Sequence, residues 1–350
     1  MARATAGGHQ TNISDVARTA GVSVGTVSNV LNNPHRVAEA TRLRVEEALR
    51  STGYVRNAAA RQLSGAASST VGCVVLDLSN PYFAETVRGI EDGLAEQGCL
   101  AIMCSTDSDP QRERWYLQML LETRVRSIIL NSVDAEPDVL DLLVEKHIPV
   151  TLLDNPRHRD DVCAVTSDHR AGGRLIADHL LDQGHRRIAL LRGEPEVPNL
   201  ASRVLGAYDA ARARGLRPDE VFLDVALTPQ GIHGDPAPAI DAALAGPDPC
   251  TAMLCYNDMT ALAVLTGLRE RGIAVPEQMS VTGYDDLAFA RTLSPALTTV
   301  RQPTFELGRA VAQLVLAESD DDHEHREVVF EPELIVREST AAPSRLPAGH

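Results

Sequence analysis

Apolar residues near the start of the chain recur at intervals of three and four, which is the repeat of one helical face. This pattern predicts two short helices, the first ended by Gly21 as a C-terminal cap and the second begun by Ser23. A third helix is predicted over residues 39–51. Its residues available for the core are Leu43, Val45, Ala48 and Leu49. Two short helices that cross at small side chains form a helix-turn-helix, whose second helix can enter the major groove of DNA.

From Val71 onward the pattern changes to apolar runs of four to six residues that alternate with helical repeats. Short continuous apolar runs between helices are typical of buried parallel strands. The predicted strands are 71–76, 100–104, 127–130, 150–153, 162–165, 187–191, 221–225, 252–255, 280–282 and 328–336. The alternation occurs twice, which predicts an α/β body of two doubly wound parallel-sheet subdomains behind an all-α headpiece.

The charge of the chain is divided unevenly along its length. The 350 residues carry 33 basic and 48 acidic side chains, a net charge of −15, yet residues 1–65 hold eight arginines against four acids. The remaining 25 basic and 44 acidic residues leave the rest of the chain at −19. A basic head on an acidic body predicts that contact with phosphates is confined to one end.

Cysteine usage and hydropathy favour a cytoplasmic protein. The six cysteines are scattered without a C-x-x-C pair, as expected of reduced and buried thiols. No apolar run reaches the length of a membrane span, and the start of the chain lacks the apolar region of a secretory signal. Neither membrane insertion nor export is therefore predicted.

Patterns for catalysis and metal binding are weak. Residues 21–25 match G-x-S-x-G, but a helix rather than a strand precedes them, and there is no P-loop and no G-x-G-x-x-G. The run Asp-Asp-Asp-His-Glu-His at 320–325 can be interpreted as a metal cluster or as a solvated loop, and the loop is favoured. We predict that the chain is not an enzyme, and that it has no metal site and no cofactor.

The head and the body each contain a set of motifs that is specific in combination. In the head these are Asp15-Val16-Ala17, Gly21-Val22-Ser23, Thr26-Val27-Ser28, Gly53-Tyr54 and Ala60-Arg61-Gln62-Leu63. In the body they are Asn80-Pro81-Tyr82-Phe83, Gly184-His185-Arg186-Arg187, Asn257-Asp258, Gly283-Tyr284-Asp285-Asp286 and Pro295-Ala296-Leu297-Thr298-Thr299. With these motifs, residues 12–339 resemble the lactose repressor and purine repressor (LacI/GalR) family of bacterial transcription regulators. The resemblance implies a periplasmic-binding-protein-like body in which the chain crosses three times between the subdomains.

Pattern and resemblance together predict the domain boundaries. The predicted parts are a disordered tail at 1–11, a helix-turn-helix domain at 12–56, a hinge helix and linker at 57–69, an effector-binding and dimerisation domain at 70–339 and a second tail at 340–350. The resemblance implies that the first subdomain comprises 70–167 and 299–328, and that the second comprises 168–298 and 329–339.

The resemblance also implies two elements that contact DNA. The second helix is expected to face the major groove, where Asn29 offers the bidentate amide suited to adenine and Val24 can touch a thymine methyl. The alanine-rich segment near Leu63 is expected to fold as a hinge helix in the minor groove, with this leucine wedged between base steps. A helix-turn-helix used only for packing and a Leu63 that docks on the body are the alternatives. The residues assigned to DNA are Ser23, Val24, Gly25, Thr26, Ser28, Asn29, Asn57, Ala60 and Leu63.

Polar residues next to predicted strands identify a candidate ligand cleft, because open α/β sheets bind ligands beyond the carboxyl ends of their strands. Asp154, Asn257 and Asp285 each follow a strand, and Arg203 is predicted to start a helix at 202. Such side chains satisfy sugar hydroxyls and are costly to bury without a partner. By resemblance, the residues assigned to an effector are Tyr82, Phe83, Asn131, Asp154, Arg203, Asn257, Asp285 and Gln302.

We therefore predict a ligand-responsive transcription regulator, with repressor favoured over activator, that binds double-stranded operator DNA in the cytoplasm at the nucleoid. A homodimer is favoured over a tetramer because the tail at 341–350 has no leucine heptads. A sugar or sugar derivative is the favoured effector, with a nucleoside or other metabolite as alternative. By resemblance, Val197 and Asn199 stand where purine-binding relatives carry polar or basic contacts, which weakens the nucleobase interpretation. The loop at 227–234 lacks the aromatic residue that many sugar binders place there, which weakens the sugar interpretation less. A solute-binding sensor without DNA function is the distant alternative.

Overall fold

The computed structural model describes residues 11–55, 68–133, 137–157, 159–193, 198–227, 235–318 and 323–343. The chain divides into two compact units, Met1–Ser68 and Ser69–His350, which we call the head and the body. Each has a hydrophobic core of its own. Within the described ranges, no helix is both long and apolar enough to cross a membrane.

The described part of the head consists of helices with well-defined ends. In chain order they are α1 (Ile13–Ala20), α2 (Val24–Asn32), a 3₁₀ turn (Pro34–Arg36) and α3 (Glu39–Thr52). Asn12 and Asp15 form a capping box at the start of α1, and Gly21 ends that helix with a φ of 65°. The Ser23 hydroxyl accepts a hydrogen bond from the backbone N–H of Thr26 at 3.1 Å. The predicted helix-turn-helix is therefore present, with the predicted caps.

Small side chains from all three helices form the core of the head. Val16, Val27 and Val45 are fully buried, one from each helix, and Ala48 joins them. The prediction for Leu43 was wrong, since its side chain is 52% exposed. It lies two positions before Val45, so it points to the opposite side of α3.

The body alternates strands and helices. Its strands are β1 (Thr70–Val75), β2 (Leu100–Ser105), β3 (Ser127–Leu130), β4 (Val150–Leu153), β5 (Cys163–Ser167), β6 (Ile188–Gly193), β7 (Phe222–Leu227), β8 (Ala252–Leu254), β9 (Ser280–Thr282), β10 (Thr299–Arg301), β11 (Glu327–Phe330) and β12 (Glu333–Ile335). Its helices are α4 (Pro81–Ala95), α5 (Pro110–Glu122), α6 (Pro137–Glu145), α7 (His169–Asp182), α8 (Pro198–Ala213), α9 (Pro218–Val221), α10 (Ala237–Leu244), α11 (Asp258–Glu270) and α12 (Thr304–Ala317).

Two parallel sheets organise the body. The first has the strand order β11-β5-β4-β3-β1-β2 and the second β7-β6-β8-β9. Helices α4 and α12 pack on one face of the first sheet, and α5 and α6 pack on the other. The second sheet is covered by α7 and α8 on one face and by α10 and α11 on the other. The predicted pair of doubly wound subdomains is confirmed.

The end of the chain departs from the prediction. The predicted strand 328–336 is two strands, because Glu331 and Pro332 separate β11, which pairs with β5, from β12, which runs antiparallel to β10. Bridges from Thr282 to Thr298 and from Asp285 to Arg301 attach β10 to the edge of the second sheet. The predicted subdomain boundaries at 299 and 329 therefore shift towards the end of the chain. β10 (Thr299–Arg301) adjoins the second sheet instead of the first, and β11 extends the first sheet to Phe330.

The predicted tail at 340–350 also begins too early. Thr340 is buried, and its hydroxyl pairs with His179 at 2.9 Å. The carbonyl oxygen of Ala341 accepts hydrogen bonds from His185 at 2.9 Å and from Ser280 at 3.2 Å. The body therefore extends at least to residue 341, held by polar contacts that hydropathy alone does not reveal.

Helices α7 and α8 cross at a close backbone approach. A Cβ on Gly173 would overlap the carbonyl oxygen of Arg203, and one on Gly206 would overlap that of Arg170. Each helix thus carries a glycine where the other helix comes nearest. This crossing fixes the position of Arg203 relative to the start of α7.

Candidate functional site

The residues predicted to face DNA bases lie on the outer face of α2. Val24 is 42% exposed, and Gly25 and Asn29 are also exposed. Ser28 is half-buried, while Val27 turns into the core. The structure therefore groups residues 24, 25, 28 and 29 on one side of a helix that is free of the head core. Their contact with DNA stays a prediction.

The other two assigned residues of this helix serve its cap. The hydroxyl oxygens of Ser23 and Thr26 lie 2.9 Å apart, in addition to the backbone bond that Ser23 accepts. Both side chains stabilise the start of α2. The hinge assignments Asn57, Ala60 and Leu63 lie outside the described residues.

Most residues assigned to an effector lie at the carboxyl ends of strands in the body. Asn131 follows β3, Asp154 follows β4, and Gln302 follows β10. Asp285 lies three residues beyond β9. All four are buried. Asp154, Asp285 and Gln302 lie near one another and near Arg203, at the place between the two subdomains that we call the cleft, and Asn131 bonds to the end of β4 beside Asp154. Their contact with an effector stays a prediction.

Asp154 is the centre of a charged network in this cleft. Its carboxylate lies 2.7 Å from Nε2 of His169 and accepts a hydrogen bond from Asn199 at 3.0 Å. Burial opposes ionisation of Asp154, but His169 and Arg203 outweigh it and hold the pKa well below its usual range. Its backbone φ of 52° lies in the left-handed region, a strained conformation that often marks functional positions.

Arg203 connects this carboxylate to the second sheet. Its Nε donates to Nδ1 of His169 at 3.3 Å, so Nε2 of His169 carries the proton that faces Asp154. Its Nη1 donates to the carbonyl oxygen of Tyr256 at 2.6 Å, and its guanidinium stacks 3.6 Å above the ring of Tyr284. The predicted start of this helix at 202 was wrong, because α8 begins at Pro198 and Arg203 lies inside the helix.

Two further carboxyl groups, those of Asp285 and Asp258, are buried nearby. Gln302 donates to Asp285 at 2.8 Å, while Asp258 accepts from the Thr299 hydroxyl at 2.6 Å and from the backbone of Leu287 at 2.7 Å. Burial raises the pKa of Asp285 to about 7. Burial, and then the charge of Asp285, raise the pKa of Asp258 to about 8. The cleft therefore holds one firmly ionised carboxylate and two that resist ionisation.

The remaining assigned residues have structural contacts of their own. Asn131 donates to the carbonyl oxygen of Leu153 at 2.8 Å, and Asn257 caps α11 by accepting from the backbone of Thr260 at 2.8 Å. Tyr82 and Phe83 are buried edge to face, with ring centroids 5.1 Å apart. Burial, and then the Asp154 charge, raise the pKa of Tyr82. Both side chains pack in the core of the first subdomain, and Tyr82 also lies near the Asp154 carboxylate.

Several buried polar atoms of the cleft have no hydrogen-bond partner among the described residues. They are Asn131 Oδ1, Ser167 Oγ, Asn199 Oδ1, Tyr284 Oη and Gln302 Oε1. Unpaired buried polar groups are rare and costly in folded proteins. Their concentration at one cleft is the arrangement expected of a site for a hydroxyl-rich or otherwise polar ligand.

Sequence reasoning missed His169, Tyr256 and Tyr284. His169 lies two residues beyond the end of β5, so it satisfied the strand-end rule, but the predicted strand stopped at 165. Tyr284 stands beside Asp285 in a motif that was already noted. Tyr256 contributes a backbone oxygen, which no side-chain pattern can reveal.

The raised pKa of Asp258 makes the stability of the body dependent on pH. An unfolded aspartate ionises near pH ~4, whereas folded Asp258 stays protonated to about 8. Between these values the unfolded chain binds fewer protons, so the free energy of unfolding falls as pH rises. In Asp258→Asn this contribution is absent, and urea denaturation should show a smaller loss of stability between pH 5 and pH 8.

The control for this prediction is Asp248→Asn, which alters a carboxylate that is 78% exposed. It should keep the pH dependence of the wild type. The depressed pKa of Asp154 acts only below pH ~4 and does not enter this window. An Asp258→Asn protein with wild-type pH dependence contradicts the prediction.

The head and the cleft together define a class of protein. A helix-turn-helix unit precedes a body of two parallel-sheet subdomains with a polar cleft between them. Residues 12–57 match the family model "Bacterial regulatory proteins, lacI family", and residues 177–340 match "Periplasmic binding protein-like domain". The head and the body therefore each match a family model of their own.

Relatives and solved structures extend this likeness to nearly the whole chain. The HTH-type transcriptional repressor PurR of Photobacterium profundum is 34% identical over 334 residues, covering 93% of this chain and 98% of the relative. The lac repressor dimer bound to operator and the anti-inducer ONPF shares 25% identity with a TM-score of 0.81, covering 95% and 99%. A CelR–cellobiose complex shares 31% with a TM-score of 0.68, covering 94% and 99%. A ribose-bound regulator from Enterococcus faecium shares 30% with a TM-score of 0.71, covering 79% and 100%.

The chain belongs to the lacI family of bacterial regulatory proteins. It is a DNA-binding transcription regulator with an effector-binding body, and it is not an enzyme.

Proposed function

We propose that this protein is a transcriptional repressor that binds a near-palindromic operator as a dimer. A small polar effector controls this binding. The observation that carries this proposal is the charged network Asp154–His169–Arg203 in the cleft, surrounded by buried polar atoms without partners. Such a set of groups is costly to maintain in a protein that binds nothing there. Its action in the cytoplasm at the nucleoid belongs to the same proposal.

The effector class that we propose is a sugar or sugar derivative. Asp154 supplies an ionised acceptor, and Arg203 Nη2 makes no hydrogen bond to the described residues. Asn199 and Gln302 supply unpaired amide oxygens that can accept from hydroxyl groups. Three of the solved structures similar to this chain are complexes with ribose, cellobiose and D-xylulofuranose. The proteins named PurR keep a nucleobase or nucleoside as the second candidate.

The proposed control is a shift in the relation between the two subdomains. Asp154 belongs to the first subdomain, and its partners His169 and Asn199 belong to the second. An effector that bridges these groups changes how firmly the subdomains are held together. Such a ligand shifts the equilibrium between two body conformations only as far as it binds them differently.

A direct test uses the full chain. D-ribose, cellobiose and D-glucose are compared with hypoxanthine and guanosine in a thermal-shift assay, followed by DNA-binding titrations with a fragment selected from random duplexes. At a hundredfold excess over Kd, one sugar should raise Tm by roughly 5 °C. The same sugar should change DNA affinity about fivefold or more. If only hypoxanthine or guanosine stabilises the protein, the proposed effector is a nucleobase or nucleoside and not a sugar. Failure to select any DNA contradicts the repressor function.

The sequence resemblance supports a further prediction for Leu63. If its side chain wedges between base steps, Leu63→Ala should weaken binding to the selected operator by about 10-fold or more, because unstacking and bending are lost. Binding to random duplex should change little, since phosphate contacts dominate it. Fluorescence anisotropy at a fixed salt concentration measures both. Equal losses on the two DNAs would show that Leu63 is not a wedge.

A further inference from the structure

A second cluster of polar side chains lies away from the effector cleft. It contains the Sγ of Cys163, a carboxylate oxygen of Glu318, and one ring nitrogen each of His323 and His325. These four atoms all lie within 4.8 Å of one another. Cys163 begins β5, and the other three residues belong to the connection from α12 to β11. The acidic part of the histidine run, residues 320–322, is not among the described residues and is not needed for this cluster.

The separations between these atoms are compatible with a tetrahedral metal ion. Sγ of Cys163 lies 3.0 Å from Nε2 of His323 and 3.9 Å from Nδ1 of His325. That nitrogen lies 3.9 Å from Oε1 of Glu318. Bonds of about 2.0–2.3 Å from a central Zn²⁺ place neighbouring ligand atoms roughly 3.3–3.8 Å apart. The three separations above lie within about 0.3 Å of this range, and the other three pairs of ligand atoms lie within 4.8 Å of each other.

We propose that Cys163, Glu318, His323 and His325 bind a Zn²⁺-class transition-metal ion. One thiolate, two imidazoles and one carboxylate form a closed four-ligand set, which is typical of structural rather than catalytic zinc. Soft sulfur and imidazole ligands select such an ion over Mg²⁺ or Ca²⁺. On binding, the bond between sulfur and hydrogen in Cys163 is replaced by a bond between sulfur and metal, and the proton passes to solvent.

The surroundings of the cluster are built for a ligand set. Glu318 caps the C-terminus of α12 and accepts hydrogen bonds from the backbone of Cys163 at 3.0 Å and from the Thr151 hydroxyl at 3.2 Å. These contacts orient its carboxylate, as outer contacts orient metal ligands in general. A hydrogen bond from Cys163 to His323 accounts for that pair. It does not account for the convergence of Glu318 and His325 on the same point.

The position of the cluster gives the metal a structural role. β5 and β11 are neighbouring parallel strands, and the cluster lies where both begin. β1, which starts at Thr70, begins at this same edge of the sheet. The effector cleft lies at the opposite edge, where the strands end. The ion would hold the α12–β11 connection against β5, at the edge of the sheet where β1 also begins.

The first experiment measures metal binding by the full chain without an affinity tag. After removal of metal with a chelator, Co²⁺ is titrated as a spectroscopic probe and then displaced by Zn²⁺. We expect one Co²⁺ per chain, visible absorption of tetrahedral intensity and a charge-transfer band from the thiolate. Absence of this spectrum, or a spectrum without the thiolate band, overturns the proposal.

Matched variants separate this site from adventitious histidine binding. Cys163→Ser and His325→Gln should each weaken Zn²⁺ binding by about 100-fold or more, since loss of an outer contact alone costs 10–100-fold. His325 is one-third exposed, so His325→Gln should keep the fold even where the buried substitution Cys163→Ser does not. Cys104→Ser and His147→Gln alter a cysteine and a histidine outside the cluster and should bind as the wild type does. Equal affinity in all four variants overturns the proposal.

A stability measurement provides an independent readout. Zn²⁺ at a hundredfold excess over Kd should raise the Tm of the wild type by roughly 5 °C. It should leave His325→Gln unchanged, and Mg²⁺ should have no effect on either protein. A Zn²⁺ shift that survives in His325→Gln contradicts the assignment. Because none of these readouts involves DNA or a sugar, they are independent of the proposed function.

Discussion

Replacement of Arg203 by alanine is expected to abolish the response of this protein to its effector. The guanidinium donates to His169 and to the carbonyl oxygen of Tyr256, and it stacks on Tyr284. These contacts hold the guanidinium in place, and its Nη2 is the group that we propose to bond the effector; a charged hydrogen bond of that kind contributes about 1.5–3 kcal/mol. Loss of the guanidinium should therefore raise the Kd of the stabilising sugar by about 100-fold or more. Titration calorimetry with the full chain measures this change.

The variant should also separate effector binding from DNA binding. Arg203 lies in the body, so the folded Arg203→Ala protein should still bind the selected operator, but the sugar should no longer alter that binding. Arg203→Lys should be nearly as defective, because an ammonium cannot replace the planar, multidentate guanidinium. Arg170→Ala removes an exposed ion pair with Asp209 and serves as the control. A wild-type sugar response in Arg203→Ala would remove this residue from the effector site.

The largest effect on stability is expected from Gly206→Ala. A Cβ at this position would overlap the carbonyl oxygen of Arg170 and press on the backbone of Arg174. Helices α7 and α8 would have to separate, at a cost of about 3 kcal/mol. Arg203 lies one turn earlier on α8, so its hydrogen bond to His169 should be displaced as well. Thermal unfolding should show a Tm lowered by roughly 6–10 °C.

Gly25→Ala is the matched control for Gly206→Ala. Its added Cβ would meet only the Ser23 hydroxyl, at an ordinary distance of 3.7 Å. Alanine in place of an unconstrained helical glycine stabilises by up to ~1 kcal/mol. The head should therefore become slightly more stable in this variant, while the body of Gly206→Ala loses stability. A neutral Gly206→Ala would mean that the two helices do not meet as closely as described.

Local patterns determined much of this protein before any contact was known. The three-and-four spacing around Val16 and Val27 predicted the helices of the head, with Gly21 and Ser23 as their ends. Continuous apolar runs predicted the strands, and the strand-end rule located Asp154 and Asp285. These features follow from backbone geometry and side-chain periodicity, which act over a few residues and can be read in order along the chain.

Errors appeared where a residue's environment depends on distant segments. Leu43 looked apolar enough for the core, yet its side of α3 is not covered by any of the described residues. The strand predicted over 328–336 is divided because its first part pairs with β5 and its second part pairs with β10. Thr340 and Ala341 were assigned to a tail, whereas polar contacts to His179, His185 and Ser280 hold them on the body.

The sequence by itself determined the class of elements, their order and the polar residues at the strand ends. Only the tertiary structure decided which of those residues meet. His169 joins Asp154 to Arg203 because the end of β4 and the helices α7 and α8 come together. Cys163 meets Glu318, His323 and His325 across more than 150 positions of the chain. Periodicity carries information about neighbours along one element, whereas a site of converging side chains depends on the crossing of several. The physical reason is that the packing of helices on sheets, and not local propensity, sets those distances.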